Sequence, residues 1–165
     1  MSGMRTYKLD YRQWTEAYRT VLALQETVNG SGLDPFLQEL IKLRASQING
    51  CEFCLDMHTK DALAIGESPE RIASLRDWRN SSAFDARESA ALALTEGVTL
   101  LSADHVPDSL LDEARQQFSE EEVVRLLYTI VAINMWNRLA GVGKPPVGVY
   151  RSQRTRMTNA RSVTG

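Results

Sequence analysis

The sequence predicts an all-α fold, a single-domain helical bundle of about seven helices. Three observations carry that reading. No segment shows the period-two alternation of a half-buried strand, and Asn-Gly hairpin signals between β-branched runs are missing. Helix start and stop signals, by contrast, recur along the whole chain. The length of 165 residues suits one domain. A globular chain of that size buries about 70% of its unfolded surface, enough for a core without disulfide staples.

The elements follow in order. A first helix is expected from about Tyr11 to Asn29, ended by the Gly30-Ser31-Gly32 turn. Asp34 followed by Pro35 reads as an N-cap with proline at the first helical position. The second helix carries Phe36, Leu37, Leu40, Ile41, Leu43, Arg44 and Ile48, and stops near Asn49-Gly50. A third begins around Cys51 and ends at Gly66, a residue suited to a left-handed terminator. Ser68-Pro69-Glu70 restarts a short helix that ends near Trp78. Asp85 with Glu88 forms a capping-box pattern and opens a helix to about Leu101. Pro107 opens another, to about Phe118. Ser119 with Glu122 repeats the capping-box pattern before the last strong helix, which ends near Gly141.

Composition narrows the class. The hydrophobic fraction is 43% and the charged fraction 24%, ordinary values that exclude a generally disordered chain or a collagen-like fibre. Net charge is −2, so there is no global electrostatic case for nucleic-acid binding. The most apolar stretch, Leu126 to Trp136, is too short to span a bilayer and is interrupted by Asn134. The N-terminal residues lack the apolar run of a signal peptide. The expectation is a cytoplasmic protein with neither a membrane nor a nucleic-acid partner. Residues 1–148 form the helical domain, and 149–165 a basic tail holding Arg151, Arg154, Arg156 and Arg161 with no acid. That tail reads either as a docking arm for an acidic surface or a neighbouring subunit, or as a frayed end.

The chemistry-bearing stretch is Cys51-Glu52-Phe53-Cys54-Leu55-Asp56-Met57-His58. On a helix, positions three and four apart lie within about 60° of each other, so one stripe presents two thiols and an imidazole. Both cysteines fall in or beside the first turn. There the unpaired N–H groups and the helix dipole favour thiolate, the reactive form. A loop of three residues gains little from being stapled. In a cytosolic chain such a pair points first to redox chemistry. Two other readings stay open. One is inert buried thiols. The other is structural zinc, completed by His58, His105 or a carboxylate such as Glu39.

Other polar residues give weaker signals. By pattern, Glu39 falls on the polar side of its helix with Gln38, Lys42 and Ser46, as an exposed i,i+3 pair with Lys42. His105 sits in the Ser102–Pro107 connection and reads as solvated. Trp136 reads as core. Asn134 and Asn137 on the same helix suit the capping or bridging of buried polar groups.

The run from Glu39 through Cys51 and Cys54 to His58 resembles the active-site segment of the AhpD-like alkylhydroperoxidases, within the carboxymuconolactone decarboxylase superfamily. The late Ile133-Asn134-Met135-Trp136-Asn137-Arg138-Leu139 run resembles the closing helix of that group. The likeness covers about residues 10 to 148. Its signature is a glutamate, twelve residues to a Cys-x-x-Cys, then a histidine four beyond the second cysteine. One position departs from it: Phe53 stands where some members carry a second histidine.

The resemblance implies a thiol-dependent peroxidase acting on an organic hydroperoxide or hydrogen peroxide, without metal or cofactor. It implies that Cys54 is peroxidatic, that Cys51 resolves the sulfenic acid into a disulfide, and that His58 and Glu39 relay protons. It also implies recycling by an external dithiol, lipoyl-bearing or thioredoxin-like, and a homo-oligomer, trimer or hexamer. In such an assembly Glu39 would face a protein interior, and the basic tail would have a surface to lie on. The competing readings are a decarboxylase-type enzyme, which needs no thiol pair, a redox sensor or disulfide-controlled interaction module, and a structural zinc protein.

Overall fold

The computed structural model describes residues 7–157. Among these the fold is all-α: seven helices, two short 3₁₀ turns and no strand. The helices are α1 (Thr15–Asn29), α2 (Pro35–Asn49), α3 (Glu52–Ile65), α4 (Pro69–Ser74), α5 (Ala86–Thr99), α6 (Asp108–Gln117) and α7 (Glu120–Gly143). Arg161 lies outside the described residues.

Local chemistry sets most boundaries. Asp34 accepts from Phe36 N and starts α2 with Pro35 in its first turn. Asp85 and Ser119 each form a reciprocal capping box, with Glu88 and Glu122 respectively. Three expected boundaries are corrected. Tyr11–Gln13 is a separate 3₁₀ turn, because Asp10 caps Arg12 N and Trp14 leaves helical geometry before α1 begins. The fourth helix stops at Ser74 and continues as 3₁₀ to Asn80, broken at Asp77. The last helix runs to Gly143, ended by Lys144 in the left-handed region.

Helix α2 is the axis of the bundle and packs against α3, α5 and α7. On one side Leu37 and Ile41 join Ala91, Leu94, Leu126 and Ile130. On another Leu40 and Leu43 join Ala62, Leu75, Trp78 and Leu92. Each leucine or isoleucine among them contributes about 1.5–3 kcal/mol by leaving water. With apolar contacts on both flanks, the remaining polar stripe of α2 is enclosed as well. Gln38, Glu39, Lys42 and Ser46 are all buried.

The end of α2 is tied to α7 by amides. Asn49 Nδ2 donates to Asn134 Oδ1 at 3.0 Å and to Asn137 Oδ1 at 2.9 Å. Asn137 donates to Ser46 Oγ, and Asn134 donates to Thr99 Oγ1. The two asparagines thus bridge buried polar groups. Gly50 follows in the left-handed region, at φ 64°, where a side chain would be strained. This turn delivers the chain directly into the cysteine pair.

Candidate active site

Cys51 is the N-cap of α3, and its Sγ accepts from Cys54 N at 3.3 Å. Cys54 therefore sits in the first turn, where helix N–H groups stabilise negative charge on sulfur. The two cysteines form a disulfide and are buried, Cys51 at 5% exposure and Cys54 at 1%. They pack against Ala140 of α7 and Phe53. One turn further along α3 lies His58, and one turn beyond that Asp61, both buried.

The glutamate of α2 meets this stripe from the side. His58 Nδ1 lies 2.9 Å from Glu39 Oε2. Lys42 donates to Glu39 Oε1 at 2.9 Å and to Asn29 Oδ1 at 3.2 Å. The pairing of Glu39 with Lys42 expected from spacing exists, but its expected exposure is overturned: Glu39 is 1% and Lys42 2% exposed. Position along one helix cannot register the segment that covers it. Burial by itself would push the Glu39 carboxyl up. His58, Lys42 and Arg154 outweigh burial and bring it down to about 2. Burial pushes Lys42 down, against the pull of Glu39.

The cover is the C-terminal segment. Tyr150 donates its hydroxyl to Asp61 Oδ1 at 2.8 Å, and Ser152 donates to the same oxygen at 2.6 Å. Lys60 donates to Tyr150 O, and Met157 N donates to Ile65 O. Between these anchors Arg154 reaches inward, 3.2 Å from Glu39 Oε1 and 3.7 Å from Asp61 Oδ2. The described part of the basic tail thus lies on this chain's own buried carboxylates.

Sequence reasoning missed Asp61 and the inward role of Arg154. A signal for Asp61 was present, since it continues the Cys54–His58 stripe at the next helical repeat. None pointed specifically to Arg154 among four arginines in an irregular tail. His105 is exposed on the α5–α6 connection and takes no part in the site.

Glu39, His58 and Asp61 bring one potential metal-ligand atom each within 4.8 Å of one another. Lys42 and Arg154 already occupy the same carboxylate surroundings with positive charge, so this donor set is poorly suited to a cation. Neither cysteine belongs to the group. The donor arrangement therefore does not support the zinc reading.

Two clefts share Phe53, one over His58 and one that reaches Cys51. The first, of about 280 Å³, is walled by Tyr11, Tyr18, Trp136 and Phe53, with Lys42, His58, Asp61 and Arg154 among its polar lining. Tyr18 and Trp136 meet edge to face with centroids 6.1 Å apart, and Trp136 donates to Gln25. The second, of about 230 Å³, lies beyond Phe53 and includes Cys51 itself in its lining.

An all-helical bundle with a Cys-x-x-Cys at a helix start and a buried Glu–His pair beside it defines a dithiol-bearing class of helical protein. Residues 15–97 match the carboxymuconolactone decarboxylase family model, and the chain belongs to that family, on its AhpD-like side. It is 39% identical to YdfG of Bacillus subtilis (strain 168) over 125 residues, covering 76% of this chain and 85% of that one. The crystal structure of ATU0492 from Agrobacterium tumefaciens, described as a candidate antioxidant defence protein AhpD, superposes with a TM-score of 0.84 at 38% identity. It covers 88% of this chain and 100% of that one. The debrominase Bmp8 shares the fold at TM-score 0.75 and 17% identity, over 83% of this chain and 74% of that one.

Proposed function

We propose that this chain is a thiol-dependent peroxidase in which Cys54 attacks the hydroperoxide and Cys51 resolves it. The fold hosts more than one chemistry, as the debrominase illustrates, so the site must decide. The observation that carries the reading is the Cys51–Cys54 disulfide at the start of α3, one turn from a histidine held by a buried glutamate.

The steps balance. Cys54 thiolate attacks one oxygen of ROOH, the O–O bond breaks, and Cys54 becomes a sulfenic acid. The departing alkoxide takes a proton and leaves as ROH. Because His58 engages Glu39 through Nδ1, its Nε2 is the atom left for exchanging that proton. Glu39, ionised and acceptor-only, orients the ring and stabilises it when charged. Cys51 thiolate then attacks the Cys54 sulfur, the S–O bond breaks, the departing hydroxide takes a proton from solvent and leaves as water, and the disulfide forms. An external dithiol, lipoyl-bearing or thioredoxin-like, restores both thiols by exchange.

A decarboxylase-type reaction assigns no role to the disulfide. A redox sensor would use the same pair and is separated by turnover. The deciding experiment is intact-mass spectrometry before and after one equivalent of cumene hydroperoxide. The reduced protein loses the mass of two hydrogens, a dithiol restores them, and Cys54→Ser shows no loss. No mass change in the wild type would move the reading to the decarboxylase branch.

The reading extends to assembly in the cytoplasm as a homo-oligomer, a trimer or hexamer. Support comes from α7, where Val124, Leu127, Tyr128 and Val131 form an exposed apolar stripe at helical spacing. No helix among the described residues is long and apolar enough to cross a membrane. Light scattering that gives a monomer mass at micromolar concentration would refute the assembly.

A further inference from the structure

We propose that Lys42 is a carbonyl-capturing amine: a small uncharged aldehyde with a flat apolar body enters the cleft over His58 and forms an imine on Lys42 Nζ. The inference goes beyond the peroxidase reading and uses neither cysteine.

Lys42 is a buried nucleophile that the thiol chemistry leaves idle. It is 2% exposed, yet it lines the cleft of about 280 Å³ over His58. Its Nζ donates to Glu39 Oε1 at 2.9 Å and to Asn29 Oδ1 at 3.2 Å. An ammonium carries three donors, and these acceptors account for two of them. Lysines that form imines are desolvated or set beside a second cation, because both favour the free amine. Lys42 meets both conditions, since Arg154 lies 3.2 Å from the same Glu39 oxygen. Burial, aided by Arg154, holds the Lys42 ammonium below its usual range against the pull of Glu39 and Asp61.

Imine formation also needs proton traffic, because two protons move from the nitrogen to the departing oxygen. Glu39 joins the amine to an imidazole: Oε1 takes Lys42, and Oε2 lies 2.9 Å from His58 Nδ1. The carboxylate receives a proton from the ammonium. His58, which lines the same cleft, passes one to the oxygen.

The ligand class follows from the walls and the charges. Tyr11, Tyr18, Trp136 and Phe53 face the cleft, and aromatic rings suit a flat apolar body. The volume lies just under the ~300–1,000 Å³ of drug-sized pockets, so a body of one ring suits it. Two buried carboxylates, Glu39 and Asp61, already face two cations, Lys42 and Arg154. An uncharged carbonyl leaves that balance intact, whereas a charged ligand upsets it.

The step balances. Lys42 gives one proton to Glu39, and its lone pair bonds to the carbonyl carbon. The π pair of the C=O bond moves to oxygen, which takes a proton to give the carbinolamine. Nitrogen then releases a second proton, the hydroxyl takes it and leaves as water, and the C=N bond closes. Ammonium and aldehyde become protonated imine and water, with nothing oxidised or reduced. The positive charge stays on nitrogen, so the buried pairing with Glu39 survives capture.

The test treats the disulfide form with benzaldehyde and sodium cyanoborohydride at neutral pH and locates the benzyl group by peptide mapping. The lysines of the chain are Lys8, Lys42, Lys60 and Lys144. Lys8 and Lys144 are exposed and Lys60 half-buried, so indiscriminate chemistry favours those three and the N-terminal amine. Lys42 should instead be labelled faster than each of them, and unfolding in urea should abolish the preference. His58→Gln should slow labelling of Lys42 about tenfold. Glyoxylate, an anionic aldehyde, should label Lys42 more slowly than benzaldehyde does. The proposal is overturned by labelling of Lys42 no faster than of the other amines, by a preference that persists in urea, by an unchanged rate in His58→Gln, or by a preference for glyoxylate. The wild-type map decides even where the variant fails to fold. Peroxide-driven oxidation is read separately, so failure of the peroxidase reading leaves this result standing.

Discussion

Arg154, from the irregular C-terminal segment, lies 3.2 Å from Glu39 in the second turn of α2. Two cations, Lys42 and Arg154, therefore flank one carboxylate oxygen, while His58 takes the other. These partners hold the Glu39 carboxyl low, against burial, which by itself raises it. Arg154 is thus the cation from outside α2 that helps keep the carboxylate beside His58 charged.

Arg154→Gln removes one of those cations. Glu39 should then take up a proton at higher pH than in the wild type, because a group that favours its charged form is gone. The Arg154 side chain is 28% exposed, so the stability cost should be modest, about 1 kcal/mol. Amide hydrogen exchange should quicken over residues 150–157 as the strap loosens. Arg154→Lys should recover much of the charge effect. Exchange rates and acid transitions identical to wild type would remove Arg154 from this role.

Glu39 links stability to acid. Its folded carboxyl is held at about 2, below the ordinary 4.5. Between those values the unfolded chain binds the extra proton and the folded chain does not. The contribution is therefore fully present above about pH 4.5 and is lost as pH falls through about 2. Thermal midpoints of the wild type should drop across that window, and those of Glu39→Gln should drop less. At neutral pH, Glu39→Gln should be less stable by about 3 kcal/mol, because Lys42 and Arg154 lose their buried counter-charge. It should also raise the apparent pKa for alkylation of Cys54 in the reduced protein. An unchanged alkylation profile would take Glu39 out of the proton relay.

The roles of the two sulfurs separate under reciprocal substitution. Cys54→Ser should keep its circular dichroism spectrum and lose at least a hundredfold in hydroperoxide consumption. Cys51→Ser should still react once, leaving a sulfenic acid on Cys54 that dimedone captures. Mass mapping of the dimedone adduct checks this. Capture on Cys51 in Cys54→Ser, at a rate matching that of Cys54 in Cys51→Ser, would reverse the assignment.

The legible parts of this molecule are those written in local chemistry. Asp34-Pro35, Asp85 with Glu88 and Ser119 with Glu122 mark helix starts, because each satisfies backbone N–H groups within its own turn. The Cys51–Cys54–His58 stripe follows from helical spacing alone. Glu39 reads wrongly by pattern because its polar neighbours Gln38, Lys42 and Ser46 are buried by distant segments. A one-helix pattern holds no information on those segments. The resemblance to AhpD-like sequences supplied Glu39, and only the three-dimensional contacts supplied Asp61 and Arg154.

The amide tie between α2 and α7 gives a final expectation, since it precedes the cysteine turn directly. Asn137 accepts from Asn49 and donates to buried Ser46. Asn137→Ala removes both bonds, while Asn49 keeps Asn134 as an acceptor. Each buried group left short of a partner costs about 1–3 kcal/mol, so urea unfolding should show a loss near 2 kcal/mol with an unchanged m-value. Because Gly50 and Cys51 follow Asn49 immediately, disulfide formation should slow more than stability alone explains. The check is peroxide-driven oxidation at a temperature where the variant is fully folded. Oxidation at the wild-type rate there would show that the tie holds the bundle without setting the geometry of the pair.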